Sequence, residues 1–168
     1  TGGTSGVMED LGTFYPYPYD SASATAVSAD GSVVVGFGRV TYGCGNQTCT
    51  IDRAARWTPP VGMHSLGCLP GGDFSTATAV SADGLVVAGT SGTRYSAHGF
   101  RWVSAGGTSG VMADLGKLPG ASRSDVLAMS PDGSVMTGTS DDTAVVWTPT
   151  NGILDLNEYL PLAGVDLT

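Results

Sequence analysis

Three near-copies of one phrase govern what this chain can become: ATAVSADGSVVVGFG at 24–38, ATAVSADGLVVAGTS at 77–91 and VLAMSPDGSVMTGTS at 126–140. Each is followed by a short segment that carries a tryptophan, AARWT (54–58), GFRWV (99–103) and AVVWT (144–148), so that Trp57, Trp102 and Trp147 recur every 45 residues. After each tryptophan come a glycine-rich turn and one more short segment, GMHSLG (62–67), GVMADLG (110–116) or GILDLN (152–157). A related GVMEDLG at 6–12 stands ahead of the first copy. A period of this length belongs to architectures in which each supersecondary unit buries its apolar face against its neighbours. The repeat defines units of roughly 1–58, 59–103 and 104–148, with a partial one at 149–168.

Within a unit the segments are short, rich in Val and Ala, and separated by turn residues, which selects strands over helices. Asp30-Gly31, Asp83-Gly84 and Asp132-Gly133 each sit between two apolar runs. Glycine there supplies the positive φ of a tight hairpin, and the aspartate is expected to hydrogen-bond its own turn backbone. One carboxylate per turn falls well short of the oxygen set that calcium takes. SVVVG and LVVAG are continuously apolar, as in strands covered on both faces. The segment before each is built from small residues, Ala24, Ala26 and Ser28, then Ala77, Ala79 and Ser81, which fits a place where neighbouring sheets converge. The two-residue period puts Trp57 with Ala55, Trp102 with Phe100 and Trp147 with Val145 on one face, and Arg56, Arg101 and Val146 on the other. The tryptophans are therefore expected to wedge between sheets.

Four short strands every 45 residues predict an all-β fold, a β-propeller-like array of four-stranded antiparallel blades with about three repeats plus an extra strand. A β-solenoid is the rival, but its coils are usually shorter. Glycine takes 26 of 168 positions, about twice its usual share of roughly 7%, and charged residues are 13% against a usual figure of about 25%, a balance contrary to a helical bundle. The net charge of −8, with Lys117 the sole lysine, argues against nucleic acid and anionic membranes as partners. No apolar run approaches the length of a transmembrane helix.

The segments AVSADGSVVVG (26–36), GFRWV (99–103), GMHSLGCLPGGDFS (62–75) and GVMADLGKLPGAS (110–122) resemble the bacterial extracellular HAF-type repeat family. The likeness covers nearly the whole chain, and the ending LDLNEYLPLAGVDLT looks like that family's segment before a further hairpin unit. The name-giving His-Ala-Phe is represented once, as His98-Gly99-Phe100. The resemblance implies an exported, surface-associated, propeller-like protein; it brings no reaction and no catalytic residues.

Most polar residues fall at repeat-equivalent positions, which points to structural duty, and the deviations are where function is sought. His98 and His64 lack a nucleophile and an orienting carboxylate legible in the sequence, and His64 stands at the Val111 type of position. No nucleophile elbow, zinc-protease motif or phosphate-binding loop occurs, so no enzyme, cofactor or metal site is expected. Two insertions break the repeat. TFYPYPYD at 13–20 spaces Tyr15, Tyr17 and Tyr19 with prolines between, so an extended backbone presents three rings to a glycan or protein, unless the loop packs on its own blade. The segment 39–53 carries Cys44 and Cys49, for which a disulfide is favoured over free thiols, and a formal glycosylation acceptor at Asn46. Cys68 aligns with Thr13 and Lys117, polar-tolerant positions where an exposed thiol could cross-link copies.

Propellers usually close with four to eight blades, so either the chain is a fragment of a longer repeat protein or copies complete one another at the open ends. The composite expectation is a non-enzymatic surface or matrix scaffold that self-associates by exchanging strands 6–12 and 152–157, as a homo-oligomer or fibre. The alternative is an adhesion module that binds glycan or protein through Tyr15, Tyr17 and Tyr19.

Overall fold

The computed structural model describes residues 10–12, 21–44, 47–162 and 164. It is all-β apart from one short helix, and it consists of three four-stranded antiparallel sheets, each a simple meander. The first sheet holds β1 (Ala22–Val27), β2 (Val34–Cys44), β3 (Gln47–Thr58) and β4 (Gly62–Gly67). The second holds β5 (Phe74–Val80), β6 (Val86–Gly92), β7 (Ala97–Gly106) and β8 (Ser109–Asp114). The third holds β9 (Ser124–Met129), β10 (Met136–Ser140), β11 (Thr143–Thr148) and β12 (Gly152–Asp155), followed by α1 (Leu156–Leu162). The tryptophan strand is third in every sheet, and the sheet boundaries fall one strand later than the sequence units, after Gly67, Asp114 and Asp155.

Turn chemistry fixes each first hairpin. Gly31, Gly84 and Gly133 adopt φ of 75°, 70° and 71°, as the Asp-Gly pairs require. The serine two residues before each aspartate donates to its carboxylate, Ser28 to Asp30 at 2.7 Å, Ser81 to Asp83 at 2.5 Å and Ser130 to Asp132 at 2.5 Å. The same hydroxyl accepts the backbone N–H of Val33, Val86 or Val135 across the turn. Backbone and hydroxyl donors hold Asp30 and Asp132 down at about 2, and Asp83 below the usual carboxylate range. The carboxylates are thus engaged in turn structure, as the sequence anticipates.

A bulge follows in each first strand, at Thr25, Thr78 and Leu127, where the register with the second strand shifts by one residue. Opposite it lies Gly36, Gly89 or Gly138, and an added Cβ there would meet the carbonyl oxygen of Ser23, Thr76 or Asp125 within about 2 Å. The glycine is demanded by this close approach of backbone within the hairpin, and β1, β5 and β9 lie side by side.

Two seams join the sheets. The first is packed with Val33, Val35, Ala54, Leu66, Leu69, Ala77, Val87, Phe100 and Trp102. The second is packed with Ala88, Val126, Met136, Val145 and Trp147, backed by Leu115, Leu118, Met129 and Ile153. Trp102 and Trp147 are buried wedges, whereas Trp57, on the side of the first sheet where no other described sheet packs, is half-buried. In the middle sheet β6 is buried through six of its seven residues, which accounts for its unbroken apolar run.

Candidate interaction surface

The seams are held by a set of polar contacts that recurs at equivalent positions. Thr25 Oγ1 donates to the carbonyl of Ala77 at 2.8 Å, and Thr78 Oγ1 to that of Val126 at 2.6 Å. Ala29 N–H donates to the Ala82 carbonyl at 3.0 Å, and Ala82 N–H to the Pro131 carbonyl at 2.7 Å. Arg56 Nη2 reaches the Gly84 carbonyl and Arg101 Nε the Gly133 carbonyl, both at 3.3 Å. In all six contacts the donor belongs to one sheet and the acceptor to the next.

Serines tie the seams from the other side. Ser75 Oγ accepts from Ala54 N–H at 2.9 Å and donates to the Gly67 carbonyl at 2.6 Å, while Ser124 Oγ accepts from Gly99 N–H and donates to the Gly116 carbonyl. Ser91 and Ser140 likewise take the N–H of Leu69 and Leu118 from the connections between sheets. All four serines are buried at 2% exposure or less. They occur only where a sheet meets the one before it, which their spacing in the sequence could have signalled: the first sheet has Ala22 and Gly38 instead.

The first seam has a feature that the second lacks. Arg56 lies 5.9 Å from the ring centre of Trp102 and pairs across the sheet with His64. Arg56 Nε and both ring nitrogens of His64 are out of solvent and make no hydrogen bond of good geometry, the backbone of Gly62 giving the imidazole only a weak one. Burial, and then the neighbouring guanidinium, push the His64 imidazole below its usual range, and burial pushes Arg56 down. Register also corrects the sequence alignment: His64 pairs with Arg56 as Ala113 pairs with Arg101, so its counterpart is Ala113 and not Val111.

His98 is oriented after all. Its Nδ1 lies 2.8 Å and 3.0 Å from the two carboxylate oxygens of Asp114, in a groove shared with the Leu69–Gly72 turn, Ser91 and Ser96. The missed signal is the Asp114 of GVMADLG, sixteen residues on in sequence and one strand away in space. The two serines of the groove are committed elsewhere, Ser91 to Leu69 and Phe74, and Ser96 to the Ser122 carbonyl at 3.3 Å. The pair consequently links the start of β7 to the end of β8, with Asp114 also accepting from Gly116 N–H.

Tyr15, Tyr17 and Tyr19 lie outside the described residues, as does most of 6–12. The backbone of Cys44 and Cys49 lies on the two arms of the β2–β3 hairpin, opposite Gln47 and Tyr42 respectively, and the Cys44 side chain is outside the described residues. Cys68 is a half-buried free thiol whose Sγ approaches Ser75 Oγ at 3.5 Å, so it faces the first seam. Among the described residues no cluster of His, Cys, Asp or Glu is suited to hold a metal, and no helix is long and apolar enough to cross a membrane.

Among the described residues no further sheet packs on the outer side of the first sheet, and that side is the remaining candidate surface. A cavity of about 160 Å³ there is lined by Leu11, Ala22, Val34, Ala55, Trp57 and Met63, among others. In the other two sheets the Trp57 position, together with Phe100 or Val145, is covered by a neighbouring sheet. No family model, no curated protein and no solved structure matches the chain.

Proposed function

We propose that the protein is an exported, non-enzymatic structural repeat protein of propeller-like type that serves as a surface or matrix scaffold by associating with further copies of itself. The observation that carries this reading is the unequal cover of equivalent positions. The apolar face around Trp57 is left partly open, whereas those around Trp102 and Trp147 are sealed by a neighbouring sheet. β1 is exposed along most of its length, whereas its counterpart β5 alternates between buried and half-buried. An exposed strand edge and an apolar face both favour a partner of the same kind. Strand exchange through 152–157 is the harder route, because β12 is already paired with β11 and leads directly into α1. The end carrying the first sheet is the better candidate.

A non-enzymatic role agrees with the placement of the polar groups. The aspartates close turns, the buried serines tie sheets, and His98 with Asp114 joins two strand ends. Sedimentation equilibrium over a wide concentration range tests the reading: the apparent mass is expected to rise with concentration, and a strictly monomeric chain throughout would remove self-association.

A further inference from the structure

The third sheet carries the same four strands as the other two, yet it has lost the three donors, a hydroxyl, a backbone N–H and a guanidinium, that recur in both of those sheets and reach a carbonyl of the next. Where Thr25 and Thr78 donate a hydroxyl across a seam, the third sheet has Leu127, 60% exposed and without a donor. Where Ala29 and Ala82 donate backbone N–H, it has Pro131, which has none. Where Arg56 and Arg101 reach a carbonyl in the first hairpin turn of the next sheet, it has Val146, buried on the side of β11 opposite Trp147, in a strand that α1 also contacts. The apolar seam positions change as well: Val35 and Ala88 are buried, but their counterpart Thr137 is exposed.

These four changes involve a side-chain hydroxyl, a backbone donor, a cation and an apolar contact, on three strands and one turn. Each removes one seam contact at its own position. A sheet built like the second and set against this face would leave its three acceptor carbonyls unmatched and place them against Leu127, Pro131 and Val146. An unmatched buried carbonyl costs about 1–3 kcal/mol, so the losses accumulate rather than cancel. The first sheet keeps the acceptors that a donor-bearing face would engage, since these are the backbone carbonyls of Ala24, Ala29 and Gly31, at the positions of Ala77, Ala82 and Gly84.

We infer that the outer face of the third sheet is a built terminus of the stack, one that refuses a further sheet of this kind. The consequence rests on the self-association reading above: association confined to the first sheet's end sets that face against itself, acceptor opposite acceptor, so it is held by the apolar patch around Trp57 and closes at a pair without growing into a fibre.

Two variants of the full chain test the terminus, compared with wild type by sedimentation equilibrium and electron microscopy. Thr137→Glu puts a charge on an exposed position of the outer face; its mass profile is expected to match that of wild type. L127T/P131A/T137V returns the hydroxyl, the backbone donor and the apolar contact without touching buried Val146. It is expected to gain head-to-tail association, with apparent mass exceeding the wild-type value at the same concentration. The inference is overturned if Thr137→Glu lowers the mass of an associating wild type, or if the folded triple variant sediments as wild type does. A monomeric wild type would defeat self-association while leaving the triple variant to decide the terminus.

Discussion

The two seams are built to one plan and filled differently. In the second, Arg101 faces Ala113 across the sheet, and Trp147 Nε1 donates to the Leu115 carbonyl at 3.1 Å. In the first, Arg56 faces His64, and a guanidinium nitrogen and both imidazole nitrogens are buried without a hydrogen bond of good geometry. The first seam has the larger apolar cluster, including Phe100 and Leu66. Its apolar packing therefore has to offset a desolvation cost that the second does not bear. Repeated sequence secures a repeated architecture, whereas the share of stability held by each seam is decided by the positions at which the copies differ.

The strongest way to break the comparison is at the tryptophans. Trp102→Ala empties the centre of the first seam, removes the ring beneath Arg56, and is expected to cost about 3–5 kcal/mol. Trp57→Ala, in the equivalent strand but on the face where no other described sheet packs, is expected to cost clearly less, because a half-buried ring gives up less burial. Urea unfolding followed by tryptophan fluorescence measures both. Equal losses would mean that the Trp57 face is covered in solution as fully as the seams are.

The buried serines come next. Ser75→Ala leaves the Ala54 N–H and the Gly67 carbonyl without their shared partner, and Ser124→Ala does the same to Gly99 and Gly116. Each is expected to cost about 1–3 kcal/mol, the range for stranding a buried donor or acceptor. Amide exchange locates the damage: Ser75→Ala is expected to accelerate exchange at Ala54 and leave Gly99 protected, and Ser124→Ala the reverse. Acceleration at both sites in either variant would show that the seams open together rather than one at a time.

What the sequence made legible follows from where the repeat holds. The hairpin glycines, the small first strands and the tryptophan face were readable because each expresses local chemistry copied three times: positive φ, close approach and a two-residue period. Sheet boundaries were less so, since the fourth strand follows the tryptophan across a short turn, and only hydrogen bonding shows which side of a break it belongs to. The tryptophan wedges apart, the partners of the polar contacts across seams were not legible. Ser75 reaches Ala54 over 21 residues and Thr25 reaches Ala77 over 52, distances at which nothing local ties one residue type to another. His98 and Asp114 escaped for the same reason. The meaning of Leu127, Pro131 and Val146 depended on first knowing what Thr25, Ala29 and Arg56 do.

The finest distinction between the seams is a matter of pH. His64 is held below the ordinary imidazole value of 6.5 in the folded chain by burial and by Arg56. Unfolding returns it to that value, so at mildly acidic pH the unfolded chain binds a proton that the folded chain resists. Stability then rises with pH through this region, and it is lost as pH falls from the unfolded value toward the lowered folded one. His64→Ala gives the first seam the residue that the second has at Ala113. It is expected to flatten this part of the pH profile and to shift neutral-pH stability by no more than about 1 kcal/mol, because a lost contact and a removed unsatisfied group oppose each other. His98 is common to both proteins and drops out of the difference. Chemical denaturation of the two chains above and below the ordinary imidazole range supplies the measurement. Parallel profiles would mean that His64 finds water or a partner in solution, and the contrast between the seams would shrink to their apolar packing.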